Sequence, residues 1–379
     1  MTELVRQEVA TSAQTVVVKV GSRVLTRADG RLDETRVAEL AGELHRVITG
    51  GRKAVLVSSG AVAAGMGQLG LSGRPRDMAH LQAVAAVGQA YLVQSYDRAF
   101  RSYGRHAAQV LLTAGDLDDR VRYLNVRNTL LTLMEYGAVP IINENDTVSV
   151  DELEATFGDN DRLAAMVTNL LRAPLLVLLS DVEGLYDGDP ALQSSRVIPL
   201  VSRLDESILA LANDGAAGLG TGGMASKLAA ARMATAAGEN VIIASGRNPG
   251  TLARIMAGET VGTLLLARGQ TVTSRKRWIG YTARPRGYLV TDAGASRAVQ
   301  REGRSLLAIG VVEVQGEFKK GDVVALRDPQ GTEFARGLTN YPAAEIGKIK
   351  GLKTEAIAAA LGHRPYDEVI HRDNMTVTG

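Results

Sequence analysis

The sequence predicts an α/β protein: a mostly parallel open sheet sandwiched between helices, followed by a small β-rich C-terminal domain. From residue 15 to 245, short runs of consecutive apolar residues alternate with segments whose apolar residues recur every three or four positions. This alternation is typical of a parallel sheet covered by helices on both faces. From about residue 285 the pattern changes to short strands separated by turn sequences such as KKGD and DPQG. A chain of 379 residues also favours two domains over one.

The strands and helices of the first region follow one another regularly. The predicted strands are 15–21, 53–60, 107–113, 138–143, 174–180 and 240–245. The predicted helices are 33–51, 76–103, 117–136, 159–172 and 224–237. Ligands of such sheets bind at the carboxyl ends of the strands. We therefore expect the polar loops after the first, second, fourth and fifth strands to lie along one edge.

Composition excludes several classes of protein. The chain has no Cys, which excludes a disulfide scaffold and Cys-based zinc sites, and its five His residues show no metal-ligand spacing. No apolar run reaches the length of a membrane span, and the first residues are polar without the apolar stretch of a signal peptide. We expect a soluble, cytoplasmic protein that does not contact a membrane.

The charge distribution suggests where the domains meet. Residues 1–267 hold 25 basic and 29 acidic side chains, whereas residues 268–379 hold 18 basic and 12 acidic ones, so the net charges are −4 and +6. The sign changes at an acid-free basic stretch, which we interpret as an interdomain connection. The predicted organisation is a catalytic domain, a basic linker, a second domain and a C-terminal extension, with the bounds 1–268, 269–284, 285–363 and 364–379.

Two lysines lie where a phosphate could bind. Lys227 follows the glycine-rich run GLGTGG and begins an alanine-rich helical segment, but the spacing differs from that of a P-loop. Lys19 interrupts the apolar strand VVVKV just before Gly21. A buried strand disfavours an unpaired charge, although a lysine on an edge strand would explain the pattern equally well. The glycine beside it permits close approach of a phosphate, which favours a functional role.

Polar clusters follow the other strands. Residues 58–65, SSGAVAAG, could bind an anion with backbone N–H groups, or could form an ordinary serine–glycine turn. Residues 141–161 contain the runs NEND and GDND, which offer oxygen donors but lack the spacing of an EF-hand. Residues 180–190, SDVEGLYDGDP, could bind a nucleoside or could form a loop without a binding role.

The order of these motifs resembles the amino-acid kinase family. VVKVGS, SSGAVAAG, PIINENDTVSVDE, FGDNDRLAA, SDVEGLYDGDP and GLGTGGMASK are similar to the motifs of the members that phosphorylate the side-chain carboxylate of glutamate. The resemblance covers nearly the whole chain, because residues 285–363 look like a PUA domain. It implies an ATP-dependent kinase that makes L-glutamyl 5-phosphate, the first intermediate toward proline, with Mg²⁺ as cofactor and proline as a feedback inhibitor.

The resemblance also implies roles for individual residues. Lys19 and Lys227 would contact the phosphates from opposite sides, Asp159 would orient the two lysines, and Asp161 would help hold the metal through water. Two further groups would bind glutamate and the nucleotide. The glutamate group is Ser59, Gly60, Asp146 and Asn160. The nucleotide group is Lys19, Ser180, Asp181, Thr221, Gly222, Gly223, Met224, Ala225, Ser226 and Lys227.

Two alternatives stay open at this point. A kinase of the same fold could act on acetylglutamate, aspartate, carbamate or UMP, although NENDTVSVDE and the PUA-like region argue against it. The basic second region could instead bind RNA. Its 12 acidic side chains and the concentration of arginines at the connection favour docking on, or regulation of, the kinase domain. The resemblance further implies a homo-oligomer (dimer or tetramer) and functional coupling to glutamate-5-semialdehyde dehydrogenase, which consumes the labile product.

Overall fold

The structure is a computed structural model that describes residues 2–148, 159–212, 223–267 and 274–378. The chain divides into two compact units, Met1–Gln270 and Thr271–Gly379. Most of the stretch predicted as a linker, and all of the predicted extension 364–379, group with the second unit.

The first unit alternates strands and helices as the apolar pattern predicts. Its strands are β1 (Thr15–Val20), β2 (Lys53–Ser58), β3 (Ala107–Leu112), β4 (Val139–Glu144), β5 (Leu175–Ser180), β6 (Leu200–Val201), β7 (Asn240–Ser245) and β8 (Thr263–Leu265). Its helices are α1 (Thr2–Ser12), α2 (Ser22–Leu25), α3 (Glu34–Thr49), α4 (Ala61–Leu69), α5 (Met78–Arg101), α6 (Ala114–Asp118), α7 (Arg120–Glu135), α8 (Asp159–Leu171), α9 (Glu206–Ala210), α10 (Met224–Ala236) and α11 (Thr251–Met256).

The eight strands form one sheet in the order β3-β4-β2-β1-β5-β7-β8-β6. Every neighbouring pair is parallel except β7 with β8, which is antiparallel. The predicted fold class is therefore confirmed. The parallel strands are buried because helices cover both faces of the sheet: all six residues of β5 are buried, as are five of the six in β1.

Several helices of the unit were not predicted, among them α1 and α4. Helix α1 is held by Arg6, whose buried guanidinium donates to four backbone carbonyls, including Val261 O at 2.7 Å and Pro199 O at 2.7 Å. Helix α4 contains two glycines in a sequence that we interpreted as a loop, and tertiary packing explains its formation. A Cβ on Gly65 would lie 1.9 Å from Val84 O, so α4 and α5 pack with almost no space between their backbones.

The second unit is a five-stranded sheet with its own core. Its elements are α12 (Ser274–Arg277), a π-helical turn (Trp278–Thr282), β9 (Gly287–Thr291), α13 (Ala293–Glu302), β10 (Val311–Gly316), β11 (Val323–Arg327), β12 (Glu333–Leu338), α14 (Ala343–Ile349), α15 (Ile357–Leu361) and β13 (Met375–Val377). The sheet order is β10-β9-β11-β12-β13. Leu289, Leu326 and Ile370 lie in an apolar cluster formed by this unit's own residues. The expected β-rich second region is confirmed.

Membrane-spanning character is not found in the described part of the chain, where no helix combines the length and the apolar content that crossing a bilayer needs.

Candidate active site

The carboxyl ends of four adjacent parallel strands bring the polar loops together. In the order β4-β2-β1-β5, these strands end at Glu144, Ser58, Val20 and Ser180. Each neighbouring pair is parallel, so all four ends lie at one edge of the sheet. The common edge that the sequence predicted is therefore present. All four strands are interior strands of the sheet, with a hydrogen-bonded neighbour on each side.

One carboxylate joins the two lysines that the sequence singled out. Asp161 Oδ1 lies 2.6 Å from Lys19 Nζ, and Asp161 Oδ2 lies 3.4 Å from Lys227 Nζ. Asp161 is fully buried, and the two lysines are 4% and 5% exposed. Lys19 reaches this position from the middle strand β1, Asp161 from the first turn of α8, and Lys227 from the first turn of α10.

Lys19, Asp161 and Lys227 form a triad with two positive charges and one negative charge. Burial favours the protonated form of Asp161, but the ammonium groups of Lys19 and Lys227 outweigh it and hold its pKa below the usual value. Burial lowers the pKa of Lys227, Asp161 opposes this shift, and repulsion from Lys19 adds to it. Two buried cations thus share one anion, so a further negative group placed beside them would be stabilised.

The starts of three helices reinforce this positive character. Ser226, in the first turn of α10, donates to Asp161 Oδ2 at 3.1 Å, and Asp161 is in the first turn of α8. Asn160, also in the first turn of α8, donates to Ser59 Oγ at 3.0 Å, two residues before α4 begins. Helix N-termini carry partial positive charge and backbone N–H groups that bind anions. Their meeting beside two lysines makes this edge suited to phosphate and carboxylate groups.

A chain of buried amides forms the β4 side of the site. Asn160 Nδ2 donates to Ser59 Oγ and also to Asn143 Oδ1, both at 3.0 Å. Asn143 Nδ2 donates to Gln89 Oε1 at 2.7 Å, and Asn143 Oδ1 accepts the backbone N–H of Glu144. Asn143 and Asn160 are each 1% exposed. These groups therefore hold fixed orientations at the edge.

Two other residues predicted on this side also lie close to the strand ends. Asp146 is buried two residues after β4. Gly60 precedes α4 with a φ of 108°, a left-handed conformation that favours glycine and lets the chain turn directly from Ser59 into the helix.

The β5 side carries Ser180 and Asp181. Ser180 Oγ donates to Asp181 Oδ1 at 3.1 Å, and Arg23 Nη1 donates to Asp181 Oδ2 at 3.1 Å. Burial favours the protonated form of Asp181, but its hydrogen bond with Arg23 and its backbone contacts leave its pKa lowered. Strand β5 pairs directly with β1, so Ser180 and Asp181 stand at the end of the strand next to the one that carries Lys19.

The glycine-rich loop is described only in part. Gly223 is the residue before α10, and Met224, Ala225, Ser226 and Lys227 form the first turn of that helix. Thr221 and Gly222 lie outside the described residues. Asp159 is the first residue of α8, but its side chain also lies outside the described part of the structure.

The structure shows a contact that was not predicted. Asp159 was expected to orient the two lysines, and Asp161 was expected to help hold the metal through water. In the described residues, the carboxylate that contacts both Lys19 and Lys227 is that of Asp161. The orienting role expected of Asp159 stays a prediction.

Sequence reasoning did not assign roles to Asn143, Gln89 or Arg23. Asn143 stood in the unusual run INEND and could have been selected for its place at the end of a strand. Gln89 had a weaker signal, because it is a polar residue on the apolar face of a helix, four positions after Ala85 and three before Leu92. Arg23 follows Gly21 at the end of β1 and offered no distinctive pattern.

The described residues fit a metal ion that arrives on a ligand better than one held by the protein. No group of three or more His, Cys, Asp or Glu side chains suited to a metal ion occurs in residues 2–148, 159–212, 223–267 and 274–378. Each Asp161 oxygen already lies within 3.4 Å of a lysine ammonium group, which disfavours direct coordination by this carboxylate. Nearby phosphate oxygens would instead supply the hard ligands that a divalent cation prefers.

Comparisons with known proteins show the family of the chain. Residues 14–245 match the model of the amino acid kinase family, and residues 287–361 match that of the PUA domain. A protein named glutamate 5-kinase from Rhodopirellula baltica is 48% identical over 373 residues, covering 98% of this chain and 96% of that protein. Proteins of the same name from Moorella thermoacetica and Citrifermentans bemidjiense are each 46% identical, covering 100% and 98% of this chain and 100% of each relative. The resemblance inferred from the motifs is confirmed.

Proposed function

The chain belongs to the amino acid kinase family and, within it, to the glutamate 5-kinases, and from this premise we propose how its residues perform the reaction. It transfers a phosphoryl group from ATP to the side-chain carboxylate of L-glutamate, giving L-glutamyl 5-phosphate in the first step of proline biosynthesis. The observation that carries the proposal is the buried triad in which Asp161 lies between Lys19 and Lys227.

The lysines neutralise the phosphates while Asp161 keeps them in place. Lys19 approaches from β1 and Lys227 from α10, so a phosphate chain lying between them meets a cation from each side. Because Asp161 contacts both ammonium groups, it fixes their separation before substrate arrives. Preorganised charges of this kind stabilise the transition state without reorganising during the reaction.

The nucleophile needs no general base. A glutamate side chain has a pKa of about 4.3 in model peptides and is already ionised at neutral pH. The obstacle is the repulsion between an anionic nucleophile and a polyanionic donor, so catalysis depends on positioning and charge neutralisation. The excess of one positive charge in the triad, together with three helix N-termini, is suited to this task.

The amide side of the edge would bind glutamate. Ser59 and Asn160 would contact carboxylate oxygens, Ser59 with its hydroxyl and Asn160 with its backbone N–H, because both hydrogens of Asn160 Nδ2 already donate to Ser59 and Asn143. Asp146 would pair with the α-ammonium group. Asn160 donates to Ser59 Oγ, so the Ser59 hydroxyl hydrogen remains for donation to a bound carboxylate. Gly60 would contribute the start of α4, whose backbone N–H groups favour an anion.

The β5 side and the start of α10 would bind the nucleotide. Ser180 and Asp181 would contact the nucleoside, and Thr221, Gly222 and Gly223 would run beside the phosphates with Met224, Ala225 and Ser226. A divalent cation accompanies ATP in this family, and we propose that it is Mg²⁺. Mg²⁺ would supply further charge neutralisation, and Asp161 would help hold it only through water.

The activity test is an ATP- and glutamate-dependent hydroxamate assay, which traps the acyl phosphate. Glutamate should give hydroxamate, whereas acetylglutamate, aspartate, carbamate and UMP should give no ATP-dependent product above background. Proline should inhibit, because it shares the α-carboxylate and the α-ammonium group with glutamate. A clear preference for any of the other acceptors would refute the proposed substrate.

The second unit has a proposed role in regulation or assembly. Every residue assigned to chemistry lies between Lys19 and Lys227, within the first unit. RNA binding is the second candidate, supported by the PUA match over residues 287–361 and the net charge of +6 in residues 268–379. Titration of transfer RNA at several salt concentrations separates the two, since submicromolar binding at physiological salt would exceed ordinary non-specific affinity.

The remaining proposals concern the cellular setting. We place the protein in the cytoplasm as a homo-oligomer, a dimer or a tetramer. The labile acyl phosphate requires a reductase to consume it, so functional coupling to glutamate-5-semialdehyde dehydrogenase follows from the chemistry.

A further inference from the structure

A residue of helix α5 lies at the end of the buried amide chain. Gln89 Oε1 accepts a hydrogen bond from Asn143 Nδ2 at 2.7 Å, and Asn143 in turn contacts Asn160, which contacts Ser59. Gln89 is 6% exposed. It lies in α5, whereas the other site residues belong to the strands, to the loops that follow them and to the first turns of α8 and α10.

The direction of the hydrogen bonds in this series of amides follows from one backbone N–H group. The N–H of Glu144 can only donate, so the Asn143 atom 2.9 Å away is the carbonyl oxygen Oδ1. Asn143 Nδ2 must then point toward Gln89 and requires an acceptor there. The Asn160 atom facing Asn143 Oδ1 must be a nitrogen, and the same nitrogen reaches Ser59 Oγ. Gln89 Oε1 is therefore the acceptor that completes the buried chain.

Gln89 is poorly satisfied for a residue kept inside the protein. Its Nε2 atom is buried and has no hydrogen-bond partner among the described residues. A buried amide with unused donors is destabilising. An apolar side chain of similar size would remove those donors but would leave Asn143 Nδ2 without its acceptor, so the bond to Asn143 is what a glutamine contributes at this position.

Close packing of two helices fixes the place of Gln89 relative to Ser59. A Cβ on Gly88 would lie 1.8 Å from Ala61 O and 2.3 Å from Gly65 N, so Gly88 lies directly against the first turns of α4. Ser59 and Gly60 immediately precede that helix. This contact between the two backbones lies one residue from Gln89 and two residues from Ser59, which leaves little freedom for Gln89 to move.

We propose that Gln89 is a positioning residue for glutamate: it holds Asn143, and through Asn143 it orients Asn160 and Ser59 toward the substrate carboxylate. This inference rests on the proposed role of Ser59 and Asn160 in binding glutamate. Gln89 acts on glutamate affinity and leaves the lysine triad unaffected, because its hydrogen bond leads to the β4 side of the site.

The test replaces Gln89 with Met, which keeps the length of the side chain and removes the acceptor. Binding of L-glutamate and of a non-hydrolysable ATP analogue to the full chain is measured by calorimetry. Because a buried donor is left without a partner, glutamate affinity should fall about ten- to one-hundred-fold, and that of the analogue should change less than about twofold. Gln94→Met is the matched control. Gln94 is exposed on the same helix, so this variant should bind both ligands with wild-type affinity.

Two further variants keep the test decisive. Gln89→Asn retains the amide but shortens it by one methylene, so it provides a milder change should Gln89→Met fail to fold, with the same direction expected. In an Asn143→Ala background, Gln89→Met should have almost no additional effect, because the residue acts through Asn143. Glutamate affinity within about twofold of wild type, equal losses for both ligands, or full additivity would overturn the proposal. Wild-type protein that neither binds glutamate nor forms hydroxamate would instead overturn the proposed function itself, and Gln89's role with it.

Discussion

Replacing Asp161 with Asn tests the central feature of the site. The substitution keeps the shape of the side chain and removes the only carboxylate found between Lys19 and Lys227 in the described residues. Two ammonium groups, 4% and 5% exposed, would then share a buried space without their counter-ion. We expect turnover to fall about 10²–10³-fold, because losing one preorganised electrostatic group has this effect and both lysines depend on Asp161.

Asp161→Asn should also lower the free energy of unfolding, and bound ATP should restore part of the loss. Breaking a buried ion pair by removing one partner costs about 3–5 kcal/mol. Burial already lowers the pKa of Lys227, so loss of its proton can relieve part of that cost. A bound triphosphate would supply the missing negative charge. The increase in melting temperature produced by a non-hydrolysable ATP analogue should therefore be larger for Asp161→Asn than for the wild type.

The assays are the hydroxamate reaction at saturating ATP and glutamate and thermal denaturation with and without the analogue. Asp29→Asn is the control, because the side chain of Asp29 is 54% exposed and lies outside the site. Turnover above about a tenth of wild type would refute the orienting role. Activity restored by excess Mg²⁺ would do so as well, since it would assign Asp161 to the metal and leave the lysines correctly placed without it.

The other predictions concern the remaining parts of the site and of the chain. Lys227→Ala should lower turnover about 10²–10³-fold with little change in ATP binding, measured against the exposed control Lys53→Ala. Asp146→Asn should raise the KM for glutamate, leave that for ATP nearly unchanged and weaken proline inhibition; impaired ATP use instead would place Asp146 on the nucleotide side. Because the pKa of Asp161 is lowered, its stabilisation is complete above its unfolded pKa of about 3.9 and is lost as pH falls through the folded pKa. The difference in unfolding free energy between wild type and Asp161→Asn should accordingly narrow below about pH 4. Residues 1–270 alone should form a soluble kinase with altered regulation or assembly, since they hold their own core; an insoluble or inactive product would contradict this.

The strands and long helices could be predicted because their apolar patterns are strong. The sequence analysis placed β1, β3, β5 and β7 within one residue of their observed limits. It missed α4 because the sequence AVAAGMGQL contains two glycines, each of which disfavours a helix by about 1 kcal/mol. The close contact between Gly65 and Val84 explains why this segment is helical, and such a contact cannot be read from local sequence.

Most residues of the candidate site could be predicted from the sequence, but the contacts between them could not. Lys19 and Lys227 were selected because each interrupts or follows a pattern suited to phosphate. The run GDND gave two aspartates at the start of one helix, and the sequence contains no signal that the Asp161 carboxylate contacts both lysines. That contact depends on the rotation of α8 against the sheet, a tertiary property. Gln89 was missed for the same reason, since its significance lies in its contact with Asn143, 54 positions away.

The strand order determines the direction in which substrate lies in the site. Across β4-β2-β1-β5, the edge presents Asp146, then Ser59, then Lys19, then Asp181. Under the proposed roles this sequence corresponds to ammonium, carboxylate, phosphate and nucleoside. Neighbouring strands lie about 4.8 Å apart, so roughly 10 Å separates β4 from β1. That span must hold the glutamate molecule and a reacting distance of about 3–3.5 Å between the carboxylate oxygen and phosphorus. A substrate bound in the reverse direction would bring its ammonium group against the lysines and its carboxylate against Asp146, so the same charges that favour reaction also exclude the wrong orientation.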